Sequence, residues 1–379
     1  MSLRSVLRLT AVVLLVAFVA GCGGGDGKSG TPTPNAGDGN QGGGGLKRIV
    51  FLTNGDDPFW DALLQGLNEG EKQYELAKAG LRAERDVNSG GAEGQISRLQ
   101  KYASSSDIAG VAISVVQADN PAIIAEMRKL QEMGIPVITV DGDVNRSEFR
   151  DARKFYLGTD NIVGGRTLGT ATKALLEAKG VKEGGYVQFA GYVDNDNARS
   201  RMNGVKEALG DAYEEKDRMP DQMDHNKAQD NVRTALTNHN DLVALIGIWA
   251  YNAPAIAEVV KERGVRDKTV VATFDAQSAA IDKMDHGDID VMVVQNPFDM
   301  GVQTCRLMKA MIEKDEATIS GMFPNQDQEN GDIYTTGLRV VVPDEKSPVK
   351  ADMFDGKVVE YMTLPDFKAW LQKYNLTSS

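Results

Sequence analysis

The sequence predicts an α/β protein of two lobes, each built on a parallel sheet with helices on both faces. Three observations predict it. Strand-like apolar runs alternate with amphipathic helical stretches every ~25 to 30 residues. The 379-residue chain is longer than one hydrophobic core usually serves. Polar and aromatic residues also gather at the carboxyl ends of the strands in both halves, where open parallel sheets bind ligands.

The first element is an address. Arg4 and Arg8 precede an apolar run over 9–20, too short to cross the ~30 Å hydrocarbon core as a helix and read as a signal-peptide core. The run ends in Val19-Ala20-Gly21-Cys22, which resembles a bacterial lipobox. Residues 1–22 are therefore expected to be a lipoprotein signal, with Cys22 the lipidated residue and the mature chain a periplasmic or cell-surface protein held by membrane lipid. Residues 23–45, eleven of them glycine, cannot bury a core and read as a tether with a reach of ~25 Å. Their glycines lack the preceding strand and the following Gly-Lys-Ser/Thr of a phosphate loop.

The body follows in order. Strands are expected over 47–53, 81–87, 110–115 and 136–140, with helices over 58–77, 93–103 and 120–133 between them. A second series begins at 155–158, continues in a helix over 162–178, and places strands near 186–190, 212–218, 242–248, 269–274 and 290–294. Strands within 331–342 close the core, and 365–374 forms a short terminal helix.

Composition narrows the function. Hydrophobic residues are 41% and charged residues 25%, as in soluble globular proteins, and the net charge of -12 repels phosphate backbones, so no nucleic-acid partner is expected. Cys305 is the single thiol of the folding part and falls on an apolar helical stripe with Val302, Leu307 and Met308, as a buried residue does. His225, His239 and His286 have no metal-ligand spacing, so no metal or cofactor is expected. Asp141-Gly142-Asp143-Val144-Asn145 imitates the start of a calcium loop but has Arg146 and Ala152 where glycine and glutamate belong. No Gly-x-Ser-x-Gly elbow occurs, and no catalysis is expected.

The strand ends carry Asp56, Asp57, Phe59 and Trp60 after the first strand and Asp141 after the fourth. In the second half they carry residues 192–199, 249–252, Phe274-Asp275 and Gln295-Asn296. Carboxylates that accept hydroxyl protons, a guanidinium that donates and rings that cover C–H faces suit a small neutral sugar or polyol. Asp56 and Asp57 also suit the cap of a helix whose first residue is Pro58.

Asp57-Pro58-Phe59-Trp60, Ile135-Pro136-Val137-Ile138-Thr139-Val140-Asp141, Gly158-Thr159-Asp160-Asn161 with Gly164-Gly165, Ala198-Arg199-Ser200-Arg201, Phe274-Asp275 and Gln295 stand in the order of one known family. The chain resembles the type I periplasmic sugar-binding proteins of ABC transporters, closest to the ribose/galactose group. The resemblance implies two Rossmann-like lobes joined by a three-segment hinge, hinge closure on the ligand, a membrane ABC permease as partner and a monomeric chain. It implies first-lobe contacts from Asp57, Phe59, Trp60 and Asp141 and second-lobe contacts from Arg199, Asp275 and Gln295; of the two arginines in the motif, Arg199 and not Arg201 is read as the contact.

Crossings would fall near Thr159, Gln295 and Asn330. The first lobe would then span 46–159 plus 296–330, the second 160–295 plus 331–343, and 344–379 would be an extension. Departures from the family pattern are Gly142 in place of arginine, Val193 in place of histidine and Met223 in place of an aromatic platform. Trp249 and Asn252, with Tyr251, match neither group and are read as rebuilding that platform from another loop. A ligand-binding module for chemotaxis or a sensor kinase, and an exported hydrolase, remain as alternatives.

Overall fold

A computed structural model of the chain describes residues 45–379, and the leader, the lipobox with Cys22 and nearly all of the tether lie outside them. Strands β1 (Lys47–Leu52), β2 (Leu81–Asp86), β3 (Ile108–Ile113), β4 (Val137–Val140) and β5 (Tyr156–Gly158) alternate with α1 (Phe59–Gln73), α2 (Gly91–Ala103), α3 (Pro121–Glu132) and the single turn α4 (Arg146–Phe149). The chain then crosses to a second series. It runs α5 (Asn161–Ala178), β6 (Gly184–Ala190), α6 (Asp196–Leu209), β7 (Tyr213–Pro220), α7 (His225–Asn238), β8 (Leu242–Gly247), α8 (Asn252–Arg263), β9 (Val270–Phe274), α9 (Ser278–Asp285) and β10 (Val291–Val294). It returns through α10 (Pro297–Glu313), α11 (Glu316–Met322) and β11 (Ile333–Thr335), and ends in β12 (Leu338–Val342), β13 (Val359–Thr363) and α12 (Leu364–Lys373).

Two sheets result. One has the order β11-β5-β4-β3-β1-β2 and the other β13-β12-β10-β9-β8-β6-β7. Strands β3, β4, β9 and β10, and β1 from Ile49 on, are apolar and almost wholly buried, as a parallel sheet covered on both faces requires. One strand pair, β10 with β12, is antiparallel, which the expectation of purely parallel sheets did not include. Strand β11 pairs with β5 in the first sheet. The third crossing therefore lies at Thr336-Gly337, not near Asn330, and the first lobe reaches past 330. The extension is not separate from the second lobe either, because β13 adds a parallel strand to its sheet beside β12.

Helix starts follow the residues before them. Asn120, Asp160, Asn195, Asp224 and Asn296 each cap the next helix by accepting a backbone N–H. Pro297 is the first residue of α10, where its missing N–H is harmless. In each lobe two helices cross on glycines. A Cβ at Gly66 of α1 would lie 1.9 Å from the Phe298 carbonyl oxygen of α10, and one at Gly165 of α5 would lie 2.1 Å from the Arg201 carbonyl oxygen of α6. The second crossing draws Arg201 down against α5.

Gly66→Val is expected to lower stability by about 1–3 kcal/mol or more, because the backbone of α10 leaves no room for a side chain. Urea unfolding followed by tryptophan fluorescence measures this.

Candidate ligand-binding cleft

Strands β4 and β9 end in the same way. Asp141 follows β4 with φ +64°, and Asp275 follows β9 with φ +61°. Left-handed backbone is uncommon outside glycine, though aspartate tolerates it better than most, and such conformations persist only where the surroundings hold them. The Asp141 N–H donates to the Leu157 carbonyl and the Asp275 N–H to the Val293 carbonyl, which fixes each residue to the neighbouring strand. The two carboxylates, one from each lobe, are 8% and 6% exposed.

Near both lies Arg201, 1% exposed. Its Nη1 stands 3.8 Å from Asp275 Oδ2 and donates to the Ile248 carbonyl at 3.2 Å. Its Nε donates to Asn161 Oδ1 at 2.9 Å, and the guanidinium lies 4.5 Å from the ring centre of Phe274. Nη2 is buried with no hydrogen-bond partner among the described residues. Burial pushes the Asp141 carboxyl up to about 6, with Arg201 opposing the rise and Asp275 adding to it. Burial likewise raises Asp275, opposed by Arg201 and the Gln295 amide.

Further polar groups surround this cluster. Ser114 Oγ donates to Asp141 Oδ2 at 3.4 Å and accepts the Gly142 N–H at 3.1 Å. A side chain at Gly142 would meet Ser114 Oγ and the Val115 carbonyl at 2.8 Å, so this loop has no space for arginine. Gln295 Nε2 donates to Asp275 Oδ1 at 3.0 Å, while its Oε1 accepts from Thr159 Oγ1 at 2.8 Å. Two crossing points are thereby bonded to each other and to the acid. Asp57 does two things: Oδ1 accepts the Phe59 N–H at 2.8 Å, and Oδ2 accepts from Gln277 Nε2 of the second lobe at 3.4 Å.

Several expected contacts lie elsewhere. Trp60 is 2% exposed and packs in the first-lobe core, 5.2 Å from Phe51 and 4.9 Å from Phe59, which leaves half-buried Phe59 as the ring nearer the surface. Arg199 is an exposed helix residue paired with Asp196 at 3.0 Å. Arg201 takes the place expected of it. The signal was present: Arg201 falls on the stripe Ala198, Met202, Val205, Leu209 that α6 buries, whereas Arg199 lies off it.

Asn252 is fully buried and spent within the second lobe, donating to Asp221 Oδ2 at 2.8 Å and accepting the Trp249 N–H at 3.1 Å. The Tyr251 hydroxyl also donates to Asp221. Trp249 is half-buried; its Nε1 donates to Asn197 Oδ1 at 3.0 Å, and its ring lies over Gly191, beside exposed Tyr192 and Met223. Asp143 is likewise occupied. Burial would raise its carboxyl, but the Arg153 guanidinium at 2.8 Å and Arg146 at 2.7 Å hold it below the usual range. Cys305 is buried, which pushes its thiol up.

A model of the periplasmic binding protein domain family matches residues 49–316. The chain belongs to the periplasmic binding protein family. That membership places it outside the cytoplasm. The D-allose-binding periplasmic protein of Escherichia coli (strain K12) is 23% identical over 267 residues, 68% of this chain and 82% of that one. Among solved structures, a solute-binding protein of an ABC transporter from Burkholderia graminis, in complex with D-arabinose, superposes with a TM-score of 0.66 at 22% identity, covering 80% of this chain and 98% of the other. A periplasmic solute-binding protein from Actinobacillus succinogenes with bound D-allose gives 0.66 at 19% identity, over 80% and 99%. A glucose-galactose binding protein from Geobacillus stearothermophilus gives 0.64 at 21%, over 78% and 97%. The matched proteins are binding proteins, and their two-lobed α/β fold is the fold of this family member.

The raised Asp141 value gives this family member a pH dependence with a definite sign. A carboxyl that holds its proton more tightly here than in the unfolded chain favours this arrangement in acid. That stabilisation, about 3 kcal/mol, is complete below the ordinary value of 3.8 and lost as pH rises through about 6. Urea unfolding of the sugar-free chain is expected to show stability falling between pH 4 and 7, and Asp141→Asn to flatten that fall.

Proposed function

We propose that the chain is the extracytoplasmic solute-binding protein of an ABC importer, that it binds a monosaccharide or similar polyol between its lobes, and that it performs no catalysis. One observation carries the reading: the buried Arg201 Nη2 group without a partner, near a carboxylate from each lobe. An unpaired buried donor costs about 1–3 kcal/mol, and a hydroxyl or ring oxygen of a sugar would satisfy it. The same hydroxyls would donate to Asp141 and Asp275, relieving two crowded acids without adding charge. The D-allose and D-arabinose held by structural neighbours are the polyols this donor and acceptor set suits.

In this reading Asp57, Phe59, Asp141, Arg201, Asp275 and Gln295 meet the ligand. Trp249 forms the outer rim, while Trp60 and Asn252 support from behind. Ligand contacts from both lobes would favour their closed arrangement, the form an ABC permease recognises. Cys22 would carry the lipid and the glycine-rich tether would let the domain reach its permease, as a monomer.

Calorimetry with D-allose, D-arabinose and a panel of pentoses, hexoses and inositols tests the reading. Binding to one of them is expected, with the sugar recovered unchanged; absence of binding across the panel, or turnover of a glycoside, overturns it. Arg201→Ala is expected to weaken binding by about 2–5 kcal/mol by leaving both acids without their counter-charge, and Arg199→Ala to leave it within about 0.5 kcal/mol of the parent. For the anchor, Cys22→Ser in the native host is expected to move the protein from the membrane to the soluble extracytoplasmic fraction and to abolish labelling by a radioactive fatty acid.

A further inference from the structure

The end of the described chain folds back onto the cleft. Ser379 exchanges two backbone hydrogen bonds with Ala276: the Ala276 N–H donates at 2.9 Å and the Ser379 N–H returns a bond at 3.1 Å. Ser278 Oγ donates to the Thr377 carbonyl at 2.8 Å, and Ser379 Oγ approaches the Gln295 carbonyl at 3.5 Å. Ser378 and Ser379 are 4% and 2% exposed, buried like core residues although both are polar. Ala276 stands between Asp275, in its left-handed conformation, and Gln277, which bonds Asp57 of the other lobe. A short peptide thus backs the loop that carries one acid of the cleft and one bond between the lobes. Without it the buried N–H and carbonyl of Ala276 would lose their partners.

The helix just before this peptide touches the first lobe. Phe298, in the first turn of α10, lies 4.4 Å from the ring centre of Tyr374 and 6.2 Å from that of Trp370. Trp370 is held from the other side by the Arg339 guanidinium, 4.0 Å from its ring centre. Phe367, Leu371 and Leu376 share one apolar cluster with Ala276, Ala280 and Ile281 of the second lobe and with Ala62 of α1 in the first. Phe298 directly follows the second crossing, so rotation of one lobe against the other changes its contact with Tyr374 and stretches the Asp57–Gln277 bond. The family match ends at residue 316, well before this segment.

We infer that residues 364–379 position the Asp275 loop and latch it to the first lobe through Phe298, so that the segment sets both the geometry of the second-lobe acid and the balance between open and closed lobes. The claim that this loop meets a ligand rests on the proposed sugar site. The latch itself does not.

The test uses the sugar-free full chain. Deletion of residues 377–379 is expected to speed amide exchange at residues 275–278 by about tenfold or more while exchange elsewhere in the second lobe and the urea midpoint stay near the parent's. Tyr374→Ala is expected to shift the open-to-closed ratio seen by small-angle scattering toward open by about two- to tenfold, and Tyr374→Phe, which keeps the ring, to restore it. Unchanged exchange at 275–278 in the deletion overturns the positioning role, as does a rise spread evenly over the lobe. Scattering identical in Tyr374→Ala and the parent overturns the coupling to the first lobe. A separate titration with D-allose reports on the sugar reading, so failure there leaves the exchange and scattering results to decide the latch.

Discussion

Two buried carboxylates and one buried guanidinium, drawn from three separate loops and helices, are the constraint around which the cleft is arranged. Asp141 and Asp275 carry one positive partner between them, and burial raises the proton affinity of both. Such a cluster is unfavourable in a dry core unless additional hydrogen bonds satisfy it. Ser114, Gln295, Thr159 and the carbonyl of Ile248 supply part of that satisfaction, and the Nη2 group of Arg201 is left over. The residual imbalance has the form of a binding site for a neutral molecule rich in hydroxyls.

The fold serves this cluster in specific ways. Parallel strands end together, so loops after β4, β9 and β10 deliver their residues to one cluster. Glycine at the α5–α6 crossing brings α6 close enough for Arg201 to reach that cluster from the helix interior side. Capping consumes many of the other polar residues at strand ends: Asp160, Asn195 and Asp224 hold helix N–H groups, and half of Asp57 does the same. A polar residue at the end of a strand in a parallel sheet is therefore often a structural acceptor. Arg153, shared between Asp143 and Asp332, shows the same economy, binding the loop after β4 to the strand that returns from the second crossing.

How far the site was legible in the sequence depended on the element. Asp141, Asp275 and Gln295 follow strands whose apolar runs are unambiguous, so their place at the cleft could be read directly. Arg201 was legible from the 3.6-residue stripe of α6 but is overlooked if the family's arginine pair is read from its first member. Trp60 and Asn252 were not legible, because a residue after a strand can turn inward to the core or outward to the gap, and only packing against Phe51 or bonding to Asp221 decides which. The third crossing is not legible in the sequence, because β11 is three residues long and carries no periodic signal.

By itself the sequence determined the alternation of strand and helix, the two series and the polar strand ends, because each is a local pattern of side chains along the chain. The tertiary structure decided which arginine is buried beside Asp275, which aromatic is core, where β11 pairs and that residues 377–379 lie against Ala276. These depend on close approach between segments far apart in sequence, and distances of that kind are set by backbone packing, which no window of neighbouring residues encodes.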